Sequence, residues 1–212
     1  MNIHPSLTTA ILSDSLDKVG RRDQVLSHRL TCVVPGTRIV GRARTAQFVP
    51  TLEVDPAHPY DAAIDFIDAT APGDLIVIAT AESNASAFWG ELFSAAARGR
   101  GAVGMITDGN LRDGDKIQAL GFGAFARSAR PIDYRGRMVI SATQEPVTIG
   151  GVVISPGDLV MADDDGAVVV PQAVEEEVLA IANARAAGES QVLGDLLSGV
   201  TLRQVWEQYG LL

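Results

Sequence analysis

Apolar residues recur along the chain in two rhythms, one of about 3.6 residues and one of two, and the changes between them predict the elements. Leu7, Ile11, Leu16 and Val19 share one helical face and the run stops at Gly20, which predicts a helix over 6–19. Residues 38–48 (RIVGRARTAQF) alternate and predict a strand, and 61–70 return to helical spacing. Pro72-Gly73-Asp74 is a turn, and LIVIAT (75–80) is a continuous apolar run of the kind buried on both faces of a sheet. A Gly/Ser/Asn-containing link then leads to a helix from about Gly90 to Arg98, the strand AVGMIT (102–107), a charged turn, and a helix-like stretch over 116–120. Residues 122–126 and 147–154 read as further strands, and 156–171 (PGDLVMADDDGAVVVP) as two strands around an Asp-Gly turn. From Val174 onward the pattern is helical, and a short helix over 202–209 ends at Gly210.

Strand–helix–strand order in the middle of the chain calls for parallel pairing, and the strand-rich later third calls for a mixed sheet. The fold class is therefore α/β, with a core over 1–172 and a helical C-terminal arm over 173–212 of the same domain. No repeat, low-complexity run or clear linker divides them.

Composition then narrows the function. Hydrophobic residues make up 47% of the 212, enough for a real core, and 17 basic against 26 acidic residues give a net charge of −9. That balance disfavours a nucleic-acid partner, which needs clustered Lys and Arg, and leaves a divalent cation or a basic protein surface open. The single cysteine, Cys32, excludes an intramolecular disulfide and a cysteine zinc cluster, and its neighbours Leu30, Val33 and Val34 predict a buried, inert thiol. The N-terminal MNIHPSLTTAILSD lacks a basic n-region, and no run of 18 apolar residues occurs, so neither a signal peptide nor a membrane span is expected and the cytoplasm is the default.

Several motifs look sharper than they are. Gly99 to Gly104 spells GRGAVG, but a dinucleotide fingerprint needs a strand before it and a helix after it, and here the order is reversed. These glycines are expected to end the helix and start the strand. Asp163-Asp164-Asp165-Gly166 lacks the alternate acidic positions and late glutamate of a calcium loop and reads as a hairpin turn. His4, His28 and His58 form no catalytic pairing and read as surface or cap residues, and Glu175 to Glu177 as the acidic first turn of a helix.

The turn after strand 102–107 is different. It carries Asp108, Arg112, Asp113 and Asp115 where an open α/β sheet places its ligands. Twenty residues separate Glu91 from Arg112, room for a helix, a turn and a strand, so the return path can bring Glu91 and the Arg112/Asp113 pair to one cavity. Their carboxylates suit Mg2+ or Mn2+, which keep several waters when one or two carboxylates bind. Backbone N–H groups of Leu92 and Phe93, at the helix start after Gly90, suit a substrate carboxylate, and Arg112 suits an oxyanion or enolate. Together these parts fit a 2-oxo acid.

At these residues the chain resembles the RraA-like family. GEL…GAVGMITDGNLRD looks like its core signature: an acidic residue, twenty intervening residues, then Arg-Asp, here Glu91 and Arg112-Asp113, with glutamate where the characterised aldolases commonly have aspartate. SDSLD (13–17), GRARTA (41–46), PGDLIVI (72–78), FARSARPIDYRGR (125–137) and TLRQVWEQYGLL (201–212) look like further family segments. The resemblance implies a mixed-sheet α/β core similar to a phosphohistidine swivelling domain, in a homotrimer or trimer-based hexamer with sites between subunits. It implies a divalent-metal (class II-like) aldolase that cleaves 4-hydroxy-4-methyl-2-oxoglutarate-type acids to pyruvate, with oxaloacetate decarboxylation by the same enolate path. In that scheme Asp113 binds the metal, Glu91 binds it through water, Arg112 stabilises the enolate, and Gly90, Leu92 and Phe93 help hold substrate. Glu189 on a neighbour's arm is a further acidic candidate. The rival within the family is a regulator that inhibits a ribonuclease by protein contact. A quinone-methyltransferase label finds no glycine-rich strand-to-helix loop to support it. Lys116 is the one lysine near the site to check as a Schiff-base former, against a solvated helix lysine.

Overall fold

The computed structural model describes residues 3–27, 30–53, 55 and 57–210, apart from the side chain of Ser190. Its centre is the apolar run of β3 (Asp74–Ala79), which lies between β2 (Ile39–Pro50) and β5 (Gly104–Leu111), parallel to both. Successive side chains of a strand point to opposite faces. Ile76 and Ile78 therefore join one core cluster, and Leu75, Val77 and Ala79 another. This two-sided burial is why the segment reads as unbroken apolar sequence.

Beyond β5 lies β6 (Ala124–Ala129), parallel to it, and then β1 (Thr31–Cys32), antiparallel. On the other side β2 pairs antiparallel with β10 (Leu159–Asp163), which forms a hairpin with β11 (Gly166–Val170) in the register Asp163 opposite Gly166. Two strands branch off this path: β4 (Ala87–Trp89) pairs parallel with β5, and β7 (Met138–Thr143) antiparallel with β2. The expected parallel centre and mixed remainder are both present.

Three layers cover the sheet. Helices α2 (Asp61–Asp68), α3 (Glu91–Gly99) and α4 (Gly114–Leu120) bury Ala63, Phe66, Ile67, Ala97 and Ile117 on one face. The hairpin of β8 (Val147–Ile149) and β9 (Val152–Ile154) covers the other face with Val147, Ile149, Val152 and Ile154. The sequence reading of 147–154 as one strand is thus corrected: Gly150 and Gly151 take positive φ (55° and 81°) and turn the chain back on itself. Helix α1 (Thr9–Lys18) and the first half of α5 (Glu175–Leu197) pack Leu12, Leu16, Val178 and Ala182 against β10 and β11.

Arg42 on β2 makes a bidentate ion pair with Glu175, so the acidic start of α5 is also an anchor to the sheet. The far end of α5 is more exposed, at Leu193 and Leu197, and carries α6 (Leu202–Tyr209), which begins with a Thr201/Gln204 capping box and ends at Gly210. Gly99 closes α3 and Gly104 opens β5, as expected for GRGAVG. His4 and His58 are surface groups, the latter paired with Asp61, and His28 lies outside the described residues. Cys32 is half-buried, and burial pushes its thiol pKa up, in keeping with an inert thiol.

A tight backbone contact lies at Gly104, where an added Cβ would lie 2.6 Å from the carbonyl oxygen of Gly123. Backbone has to move to admit it. Gly104→Ala is expected to lower stability by about 1–3 kcal/mol in urea denaturation; an unchanged midpoint would show that the sheet centre is slack.

Candidate functional site

The charged segment after β5 divides into two parts with different work. Strand β5 runs on to Leu111, so Asp108 is a buried strand residue and not part of a turn. Its carboxylate accepts from the Thr80 N–H (2.7 Å), the Thr80 hydroxyl (2.9 Å) and the Glu82 N–H (2.9 Å). It thereby clamps a loop in which Ala81 and Glu82 both take left-handed φ. Asp108 holds backbone. Asp115, in the first turn of α4, does not line the cavity described next.

Arg112 and Asp113 are the remaining part. Strand β4 pairs Trp89 with Leu111, and the Arg112 N–H donates to the Trp89 carbonyl at 2.9 Å. This pairing sets Gly90 and the start of α3 directly against Arg112 and Asp113. Space there is small: a Cβ on residue 90 would lie 2.9 Å from Asp113 Oδ2 and 3.2 Å from Arg112 Cγ, so a side chain would displace both from their present positions. The Glu91 N–H reaches Asp113 Oδ2 at 3.4 Å. Asp113 itself sits at φ 59°, ψ 36°, a left-handed conformation that aspartate tolerates better than most residues. Glu91, Arg112 and Asp113 therefore do converge, and Gly90, Leu92 and Phe93 line the same cavity, of about 470 Å3.

Sequence reasoning missed the opposite wall. Asp133, in the loop after β6, accepts from the Tyr60 hydroxyl at 2.7 Å and the Arg135 N–H at 3.0 Å, and faces Arg112 Nη1 at 3.4 Å. Burial pushes the Asp133 carboxyl up, but the Arg135 and Tyr60 hydrogen bonds and the Arg112 charge outweigh it and hold it below the usual range. It is thus an ionised partner that orients the guanidinium. The hydrogen bond to Asp133, with some burial, raises the Tyr60 phenol, and burial raises Tyr134 beside it. The segment holding Asp133 was noted only as a family-like stretch; nothing in its spacing marks the carboxylate.

Lys116 binds Glu91 at 3.1 Å, and this contact raises its pKa, so it stays an ammonium and is a poor Schiff-base former. Glu189 pairs with Arg185 along α5 at 2.9 Å and does not line its own chain's cavity. Among the described residues no group of three His, Cys, Asp or Glu side chains could hold a metal ion. The donors at hand are two partly exposed carboxylates, Asp113 and Glu91, the latter already held by Lys116. Such a pair fits a hard cation that keeps most of its waters and does not form a closed cage.

A mixed α/β sheet with an acidic, arginine-bearing cavity beyond the carboxyl ends of its parallel strands defines a small-ligand site at a sheet edge. Comparison with known proteins identifies the family. The RraA-like family model (Aldolase/RraA) matches residues 9–169, and the chain belongs to that family. Protein DlpA of Legionella pneumophila is 29% identical over 95% of this chain, which spans only 32% of that protein's length. A protein of Halalkalibacterium halodurans provisionally named a 4-hydroxy-4-methyl-2-oxoglutarate aldolase is 30% identical, over 82% of this chain and 77% of its own. Among solved structures, an uncharacterised Pseudomonas syringae protein superposes with a TM-score of 0.83 at 33% identity, covering 94% of this chain and 92% of its own. Streptomyces coelicolor RraAS2, described as an unusual member of the RNase ES inhibitor RraA family, gives 0.76 at 30% identity, covering 87% and 90%.

The two parts of the charged segment separate by stability. Asp108→Ala strands the buried Thr80 donors and the part-buried Glu82 N–H and is expected to cost about 3 kcal/mol. Arg112→Ala removes two half-exposed ion pairs, with Asp113 and Asp133, and is expected to cost about 1 kcal/mol or less. Equal losses in chemical denaturation would make Arg112 a structural clamp as well.

Proposed function

We propose that the chain is a carbon–carbon lyase that releases pyruvate from 2-oxo acids with the help of Mg2+ or Mn2+. The observation that carries this reading is the convergence of one guanidinium with the carboxylates of Glu91, Asp113 and Asp133 in a cavity otherwise lined largely by apolar side chains. Family membership and the provisional aldolase name of the Halalkalibacterium relative support it.

Arg112, kept in place by Asp133 and Asp113, binds the 2-oxo acid carboxylate and keto oxygen through its planar fork. When the C3–C4 bond breaks, the electron pair moves toward the keto oxygen, and the guanidinium opposes the charge that gathers there. Asp113, with Glu91 outside it, would hold the cation, which supplies Lewis-acid polarisation of the 2-oxo acid. Lys116 keeps Glu91 turned to this end of the cavity. The C4 hydroxyl proton leaves through the same polar, solvent-open end, and the enolate is then protonated to pyruvate. Oxaloacetate yields the same enolate by losing CO2. We take the working form to be a homo-oligomer, with the exposed α5–α6 arm reaching a neighbour.

Similarity to RraAS2 favours a second reading, a regulator that binds a ribonuclease. Pyruvate release from 4-hydroxy-4-methyl-2-oxoglutarate and from oxaloacetate, with Mg2+ and after EDTA, separates the two. Metal-dependent turnover is expected, falling about 100-fold or more in Arg112→Ala and Asp113→Ala while both variants stay folded. Full activity after EDTA, or none in the wild type, would overturn the lyase reading; ribonuclease inhibition unaffected by Arg112→Ala would favour the regulator.

A further inference from the structure

Resting on the lyase reading, we infer that Arg130 receives the second carboxylate of a dicarboxylic 2-oxo acid, in a depression on the far side of Arg112 from the apolar cavity. Arg112 and Asp113 line both spaces, so a 2-oxo acid held by them can extend into either. Ala129, Arg130 and Pro131 complete the second space.

Strand register puts the two arginines side by side. Strands β5 and β6 run parallel with Leu111 beside Ala129, and the Arg130 N–H donates to the Leu111 carbonyl at 2.9 Å. Residues 112 and 130 therefore leave the ladder together, from strands about 4.8 Å apart. The Arg130 guanidinium is half-buried and held in place, donating to the Asn84 carbonyl at 2.5 Å. The buried Asn110 amide secures that loop in turn, donating to Asn84 Oδ1 at 3.3 Å and to the Ser86 carbonyl at 2.9 Å. Nearby, Arg112, Lys116 and Arg127 each face a carboxylate. Among the described residues none pairs with Arg130, which is thus a positioned cation with donors to spare.

Charge decides which way a dicarboxylate points. On the cavity side, Arg112 is neighboured by the ionised Asp133 and by Glu91, and a second substrate carboxylate turned that way meets like charge. Turned the other way, it meets a guanidinium that can donate charge-assisted hydrogen bonds. Asp113 borders both spaces and does not discriminate. In 4-hydroxy-4-methyl-2-oxoglutarate, C4 carries both a carboxylate and a methyl group. With the carboxylate toward Arg130, the methyl is left for the apolar side.

Two stable 2-oxo acids of equal chain length isolate this contact: 2-oxopentanoate has a methyl group where 2-oxoglutarate has its second carboxylate. Calorimetric titration of each into the full chain with Mg2+ is expected to show 2-oxoglutarate binding about five-fold more tightly. Arg130→Gln is expected to bring that ratio to about one, and Arg130→Lys, which keeps the charge, to preserve most of it. A wild-type ratio of one or below overturns the inference, and so does a preference that survives Arg130→Gln. Failure of both acids to bind overturns it as well, the result expected if a second copy of the chain occupies the depression. Pyruvate release from oxaloacetate on the same preparation tests the lyase reading separately. Release without the preference removes the role of Arg130 and keeps the lyase; an Arg130-dependent preference without release keeps that role and removes the lyase.

Discussion

Everything at the site depends on a three-residue strand. Strand β4 lies parallel to the end of β5, and one backbone hydrogen bond, from the Arg112 N–H to the Trp89 carbonyl, ties the two where both leave the sheet. That bond sets the start of α3 against the start of α4. It also leaves so little room at residue 90 that a side chain there would displace Asp113 and Arg112, and Asp113 takes a conformation few residues adopt. The side chains of Glu91, Arg112 and Asp113 meet because the backbone has no other way through. Backbone constraint, and not mutual attraction of surface charges worth about 1 kcal/mol or less each, is what holds the group together.

Electrostatic order follows from that geometry. Arg112 faces Asp113 on one side and Asp133 on the other, and Asp133 is fixed by Tyr60 and by the Arg135 backbone. The guanidinium therefore sits in a prearranged position, so less side-chain freedom is lost when a ligand binds. Lys116 does the same for Glu91. Four charged side chains are thus each held by a partner from a different segment, and the chemistry proposed for them requires that kind of rigidity.

Legibility in the sequence tracked the length and periodicity of each element. The two-sided run of β3, the hairpin at 159–170, the helix starting near Glu91 and the short helix at 202–209 all have patterns long enough to read. Strand β4 does not: three residues carry no period, and Ala87-Phe88-Trp89 is buried throughout. Glu91 and Arg112/Asp113 were placed near one another from chain length alone, and β4 is the physical reason that placement holds. Asp108 reads as one of them because its sequence neighbours are charged, while it is itself buried and binds the N–H groups of Thr80 and Glu82. Asp133 and Tyr60 are 73 residues apart, and a hydrogen bond across that distance leaves no mark in local pattern.

The α2 side of the cavity and its charged end come from different stretches of chain. Tyr60 and Ile64 precede β3, whereas Arg112 and Asp113 follow β5, and no ladder hydrogen bond joins the α2 segment to β4 among the described residues. Replacements near α2 can therefore accumulate without disturbing the backbone junction at Gly90. Within one lineage the junction at Gly90 and the Tyr60–Asp133–Arg112 contact would then stay fixed while positions such as Ile64 drift, so that relatives diverge in what they accept before they diverge in what they do to it.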